Sequence, residues 1–384
     1  EESLSSCPLP FKMIYSRPCS SYTFLVAAAI FAVVILWREY AWKFKSQLLL
    51  NCSAPPTSIN VTGSAIPNQV HYVYILRDVD ADFAFQFKHF LSLYSVLQHW
   101  HPDTIYLHTN ANPKTIENAR AGKTGKWNQL IFNTPNLRIN HVEPPTVAGN
   151  GKPIDQIEHK SDFVRVSTVC EFGGIYLDWD AHPVRDIKAL RESGFNSITG
   201  RQANGEIMSG TFMAKKDALL LQMWKAEMHK VYDGGWTTHS NSVVTRLGQR
   251  LARLPGEVLI MEQDAFGPGS WTTPENIVLY GIHNETVSNL ENATDCRSLP
   301  SYDEGVTDRW DRPQDFPSWE RDYSHTYILH AFSPARNGNP VKDFKHITPK
   351  YVLERQSNFA RLLYPVTRDM CRAGFVEVND SYAG

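Results

Sequence analysis

The residues best suited to chemistry lie in a single segment, HKSDFVRVSTVCEFGGIYLDWD at positions 159–180. Two aspartates, Asp178 and Asp180, end a short apolar run with one residue between them. Alternate residues of a strand share a face, so Tyr176, Asp178 and Asp180 would project together, opposite Ile175, Leu177 and Trp179. With Cα atoms ~6.5–7 Å apart, such a pair offers two hard oxygen ligands suited to Mg²⁺ or Mn²⁺. An ion held there could in turn hold a diphosphate.

The elements that must position these acids can be read from the same segment. Phe163, Val166, Val169, Cys170 and Phe172 recur at helical spacing and would seat a helix on a core. Gly173 and Gly174 follow its last turn, where left-handed backbone ends helices. Asp162 and Arg165, at i and i+3, share a face of that helix. As an exposed pair they would add only ~0.3–0.5 kcal/mol, so Arg165 is expected to matter for ligand binding more than for stability.

The pattern S-D-x-x-R followed by G-G-I-Y-L-D-x-D resembles the sugar-binding region of glycosyltransferase family 32, with related layouts in the large clostridial glucosylating toxins. Ile66-Pro67-Asn68-Gln69-Val70-His71 is similar to the family's opening strand. Trp100-His101-Pro102-Asp103 with Ile105-Tyr106-Leu107 is similar to its second strand. The resemblance spans roughly residues 66–190 and implies an α/β fold of the GT-A, Rossmann-like type with a mostly parallel central sheet. It also implies a retaining transferase that moves a hexose from a nucleotide-diphospho-sugar (GDP- or UDP-linked) to a glycan or glycolipid acceptor. Asp178 and Asp180 would hold Mn²⁺ or Mg²⁺. His71, Asp162, Arg165, Tyr176 and Asp178 would meet the donor. His330, ending the apolar run Tyr327-Ile328-Leu329, would be the third metal ligand, since an imidazole suits Mn²⁺. Gln263 and Asp264 resemble a pair seen in other retaining GT-A enzymes and are candidate catalytic residues. Met208 stands where many GT-A transferases carry Asn. His239, in the polar stretch GGWTTHSN, is a candidate acceptor contact.

Other readings compete with this one. Residues 78–82, DVDAD, contain two more D-x-D triplets, but no Gly-Gly strand or Asp–Arg helix precedes them, and they read as a solvated turn. A metal-dependent phosphotransferase or phosphohydrolase would also use paired aspartates, yet its nucleophile motif is missing and there is no G-x-x-x-x-G-K-S/T. A non-catalytic sugar-binding protein is the third class, disfavoured because both aspartates and the Asp–Arg pair are intact.

Composition gives the setting. The net charge of −2 and the mild basic stretch at Lys114, Arg120, Lys123 and Lys126 give no basis for nucleic-acid binding. Residues 22–37, YTFLVAAAIFAVVILW, are uncharged and span ~24 Å as a helix. They predict a signal anchor, with a cleaved signal peptide as the alternative, between a short cytosolic tail (1–21) and a stem (38–65), with the catalytic domain at 66–384. Lys12 and Arg17 before the span are balanced by Arg38, Lys43 and Lys45 after it. The sequons at Asn51, Asn60, Asn284, Asn292 and Asn379 all follow it and favour a luminal catalytic domain, hence a single-pass type II protein of the Golgi or ER. Cys7 and Cys19 would be cytosolic, Cys296 and Cys371 are candidates for a disulfide, and Cys170 reads as a core thiol.

Overall fold

A computed structural model describes residues 65–291, 293, 295–301, 316–334, 338 and 340–384. They belong to one compact unit, Thr62–Gly384. The strands are β1 (Gln69–Val73), β2 (Thr104–Thr109), β3 (Leu137–His141), β4 (Gly174–Leu177), β5 (Ala181–Pro183), β6 (Ser197–Arg201), β7 (Ile207–Ala214), β8 (Val258–Met261) and β9 (Ile328–His330). The helices are α1 (Phe87–Trp100), α2 (Pro113–Arg120), α3 (Lys126–Phe132), α4 (Ile157–Phe172), α5 (Lys188–Arg191), α6 (Leu219–Val231), α7 (Asn241–Leu251), α8 (Gln263–Phe266), α9 (Thr273–Tyr280), α10 (Pro349–Glu354) and α11 (Asn358–Arg372).

Seven strands form one sheet in the order β3-β2-β1-β4-β7-β6-β8. Only β7 runs against its neighbours; the other pairings are parallel. The expected mixed α/β architecture with a mostly parallel sheet is therefore present. Alternation along the strands feeds two cores. Val70, Tyr72, Ile175, Leu177 and Met213 pack on one face, and Val73, Tyr176, Phe212 and Ala214 on the other. β5 and β9 make a separate antiparallel ribbon in which Ala181 faces His330.

The passage from α4 into β4 is the critical local structure. α4 is buried on more than one side, through Phe163, Val164, Val166, Val169 and Cys170, and even Asp162 and Arg165 on it are buried. Cys170 is a buried free thiol. Gly173 (φ 70°) and Gly174 (φ 115°) turn the chain straight into β4. A Cβ on Gly174 would meet the Gln69 carbonyl oxygen at 2.5 Å, and one on Gly173 the Lys216 amide nitrogen at 2.7 Å. Glycine is thus required by both backbone conformation and space. The turn drops β4 beside β1, with His71 opposite Tyr176.

Cys296 and Cys371 form a disulfide that ties α11 to the segment after α9. Asn284 and Asn379 are exposed, whereas Asn51, Asn60 and Asn292 lie outside the described residues. So do Cys7, Cys19, the expected tail (1–21) and span (22–37), and all of the expected stem (38–65) but Ala65. Among the described residues no helix is long and apolar enough to cross a membrane. Even α4, at 16 residues, carries Glu158, Lys160, Asp162, Arg165 and Glu171. The expected localisation as a single-pass type II protein of the Golgi or ER membrane is corrected accordingly, since no described helix can supply the span.

Candidate active site

β4 ends at Leu177, and residues 178–180 form a turn rather than more strand. The Ala181 amide closes it on the Asp178 carbonyl at 3.0 Å. Strand alternation therefore holds for Tyr176 but does not extend to Asp180. Two contacts fix the turn instead. The Asp178 amide donates to the Gly210 carbonyl of β7 at 2.8 Å, and the Ala331 amide, just past β9, donates to the Asp180 carbonyl at 2.8 Å. The second of these brings in His330. Its Nε2 lies 3.2 Å from Asp180 Oδ1 and 3.9 Å from Asp178 Oδ2.

One ligand atom from each of Asp178, Asp180 and His330 lies within 4.8 Å of the others. Two carboxylate oxygens and an imidazole nitrogen are a donor set that fits Mn²⁺, and Mg²⁺ less well. Space beside them is kept by Gly210, where a Cβ would sit 2.5 Å from Asp178 Oδ2 and 2.7 Å from His330 Cε1. Burial pushes the Asp178 carboxyl above its ordinary range; Arg165 opposes the rise and Asp180 adds to it. A cation would relieve this strain between the two acids.

Behind the acids lies an ionic network. Arg165 Nη2 is 3.1 Å from Asp162 Oδ1 and 3.3 Å from Asp178 Oδ1, and its Nη1 donates to the Ser209 carbonyl at 3.1 Å. Its guanidinium lies 4.6 Å over the Tyr176 ring. Burial works against its charge, but Asp178, Tyr176 and Asp162 outweigh it and raise its pKa above the ordinary value. Tyr176 is buried and donates its hydroxyl to Asp178 Oδ1 at 2.6 Å. Burial holds that phenol well above its usual range, so it stays a proton donor. Asp162 and Arg165 are therefore not an exposed helix pair, and the expectation that Arg165 adds little to stability is corrected.

These groups open into a cleft of about 990 Å³. Its lining includes Asp162, Arg165, Tyr176, Asp178, Asp180 and His330, so most of the predicted site converges. His71 does not line it. It is fully buried, with Nε2 2.7 Å from the Gly173 carbonyl and Nδ1 2.9 Å from His108 Nε2. It braces the turn before β4 rather than facing a ligand. Gln263 and Asp264 open α8 outside the cleft lining; Gln263 Nε2 donates to the Gly269 carbonyl, and the Asp264 backbone accepts from Thr326 Oγ1. His239 is fully buried behind Asp162 and does not line the cleft. Met208 is buried but borders the cleft. Of the decoy acids, Asp78 and Asp80 sit in an exposed turn, and Asp82 lies at the cleft rim.

Several lining residues carried no sequence signal. Lys88 and His89 reach the cleft from the start of α1, and Trp271 and Trp236 from loops, Trp236 being 52% exposed. His89 is pushed down to about 3 by burial. Its Nδ1 accepts from the Gln86 amide at 2.9 Å.

Residues 88–199 match the family model described as a glycosyltransferase sugar-binding region containing a DXD motif. The matched stretch holds both halves of the site from the N-terminal part of the fold, Asp162–Arg165 and Asp178–Asp180. Residues 88–199 are thus similar to the DXD region of glycosyltransferases of the family 32 type. This region is what the chain shares with the glycosyltransferases. A curated relative, Glucan organizing enzyme 1 of Cryptococcus neoformans var. grubii, is 26% identical over 223 residues, covering 54% of this chain and 56% of that protein. The chain thus matches little more than half of that relative's length. Among solved structures, the glycosyltransferase GlyE of Streptococcus pneumoniae TIGR4 aligns at 10% identity and a TM-score of 0.38 over 80% of this chain and 64% of GlyE. An active-site mutant of LgtC aligns at 13% identity and a TM-score of 0.34 over 69% of this chain and 88% of LgtC. Likenesses this distant bear on neither fold nor activity; the transferase assignment rests on the matched region and the intact D-x-D.

Proposed function

We propose that this glycosyltransferase is of the GT-A type and moves a hexose from a nucleoside-diphospho-sugar to a glycan or glycolipid acceptor, with a divalent cation and with retention of anomeric configuration. The observation that carries the reading is the convergence, in one cleft, of the Asp178–Asp180–His330 ligand cluster with the Asp162–Arg165 pair.

Asp178, Asp180 and His330 would hold Mn²⁺ or Mg²⁺. When bound, that ion would act as a Lewis acid toward the charge that develops on the leaving diphosphate. Tyr176 and Arg165 aim the Asp178 carboxylate by donating to the same oxygen, Oδ1, which leaves Oδ2 turned toward His330. Asp162 accepts from hydroxyls of the donor sugar. Arg165 spends its Nη donors on Asp162, Asp178 and Ser209, so it ties the sugar-binding acid to the metal-binding acid. A retaining transfer needs no general base of the inverting kind, and the reading gives Gln263 and Asp264 no contact with the reacting atoms.

The test is a screen of UDP-glucose, UDP-galactose, UDP-N-acetylglucosamine and GDP-mannose for thermal stabilisation with Mn²⁺, followed by assay of nucleoside diphosphate release. Release of UDP or GDP that depends on Mn²⁺ and is faster with a sugar acceptor supports the reading. Release of inorganic phosphate instead would point to a phosphohydrolase and overturn it.

A further inference from the structure

The geometry points to His239 as a positioning residue that sets the Asp162 carboxylate for the donor sugar, an inference that rests on the proposed function. His239 has no exposed surface, and its Nε2 lies 2.9 Å from Asp162 Oδ2. The other oxygen, Oδ1, faces Arg165 Nη2 at 3.1 Å. Each oxygen of Asp162 is thus held from a different element: Arg165 from its own helix, and His239 from the loop before α7. A carboxylate pinned at both oxygens cannot swing about its last torsion, and each oxygen keeps lone-pair capacity for a hydroxyl.

The ring is itself fixed. His239 stacks on Phe163 at 5.4 Å with an interplanar angle of 8°, and lies edge-on to Tyr232 at 5.0 Å and to His159 at 4.6 Å. Its backbone carbonyl accepts from the buried Trp224 Nε1 at 3.1 Å. Asp233 closes the start of the loop by accepting from the Gly235 amide at 2.8 Å and from Thr238 Oγ1 at 3.2 Å. His239 Nδ1 is buried with no hydrogen-bond partner among the described residues. A bare acceptor lone pair there is cheaper than an orphaned N–H, so the tautomer that fits carries its proton on Nε2, pointing at Asp162. Among the described residues the ring's one hydrogen-bond partner is Asp162, which is the arrangement expected of a group whose task is to orient a partner.

His239→Phe keeps the aromatic packing and removes the donor, whereas His239→Gln restores an N–H at similar reach. The phenylalanine variant is expected to lower kcat/KM for whichever nucleotide-sugar the wild-type protein hydrolyses by ~10–100-fold, mainly through kcat, and to leave UDP and GDP affinity within about twofold. The glutamine variant should recover most of the loss. Equal loss in both variants, or a matching loss of UDP and GDP affinity, would reduce His239 to packing and overturn the proposal. A donor-independent arm is ¹⁵N NMR of the wild-type ring at pH 7.5, where Nε2 should carry the proton; an unprotonated Nε2 refutes the assignment even if no nucleotide-sugar is turned over. Absence of turnover by the wild-type protein would count against the proposed function alone.

Discussion

Arg165 Nη2 lies 3.3 Å from Asp178 Oδ1, so the arginine of the Asp162–Arg165 pair is also a counter-charge of the D-x-D motif. It is buried, and it serves Asp162 and Asp178 at once. Removing it would strand two carboxylates in a poorly hydrated place.

Arg165→Ala should therefore destabilise the metal-free protein by about 3–5 kcal/mol, the range for breaking a buried ion pair. Urea unfolding would measure it. Burial already raises the Asp178 carboxyl with Arg165 opposing; without the guanidinium it rises further, so the deficit should grow as pH is raised from 5 to 8. A loss below ~1 kcal/mol at pH 8 would mean that solvent reaches these acids freely.

Gly210→Ala places a methyl group where Asp178 Oδ2 and His330 Cε1 already stand, at 2.5 and 2.7 Å. Asp178 or His330 must shift, and misplacements near 1 Å cost on the order of 100-fold in turnover. Turnover should fall by that order, and Mn²⁺ affinity with it, as read by electron paramagnetic resonance of free Mn²⁺. Wild-type Mn²⁺ affinity in this variant would show that the glycine is incidental.

Asp178→Asn, Asp180→Asn and His330→Ala should each weaken Mn²⁺ binding. The first should be the most damaging, because Asp178 also anchors Tyr176 and Arg165. Excess chelator should abolish wild-type turnover, and added Mn²⁺ restore it. Full activity in chelator would remove the cation from the reaction.

Acid should destabilise the sheet through His71. Burial, the main cause, lowers its pKa from 6.5 to about 4, with the Gly173 bond opposing. His71 Nε2–H donates to Gly173, His71 Nδ1 accepts from His108 Nε2–H, and His108 Nδ1 accepts from Asn140, a chain satisfied only when both rings are neutral. As pH falls, the unfolded chain takes up the proton first. The stability is complete above about 6.5 and is lost on the way down to about 4. The loss is on the order of 3 kcal/mol from this group. His71→Gln should flatten the dependence of unfolding free energy on pH across that window; an unchanged slope would assign the acid sensitivity elsewhere.

What could be read from the sequence was local. The helix with Asp162 and Arg165 a turn apart, the Gly-Gly stop and the following strand all lie within 159–180, and short-range rules of spacing and backbone conformation suffice for them. His330 could be nominated only through the family resemblance, which expects a third metal ligand from a C-terminal loop. What could not be read depended on pairings distant in the chain. Burial of α4 on several sides turned an apparent surface ion pair into a central one. The Gly210 carbonyl and the β5–β9 ribbon bent Asp178–Asp180 out of strand geometry. His71 and His239, both assigned to ligands from their sequence neighbourhoods, instead brace other parts of the protein from behind. A histidine's role is set by what faces its two nitrogens, and periodicity carries no information about that.

The β5–β9 ribbon also has a consequence for how the protein is made. During synthesis the two aspartates leave the ribosome long before His330, with β5–β8 and α5–α9 still to come. Until β9 docks on β5, the acids face each other with neither an imidazole nor a finished wall beside them. A divalent ion that prefers the three-ligand site would favour the docked state over any chain lacking its last segment, by mass action. The cation would then act as an inspector of completeness as well as a participant in turnover, and chains truncated before residue 328 should be insensitive to it.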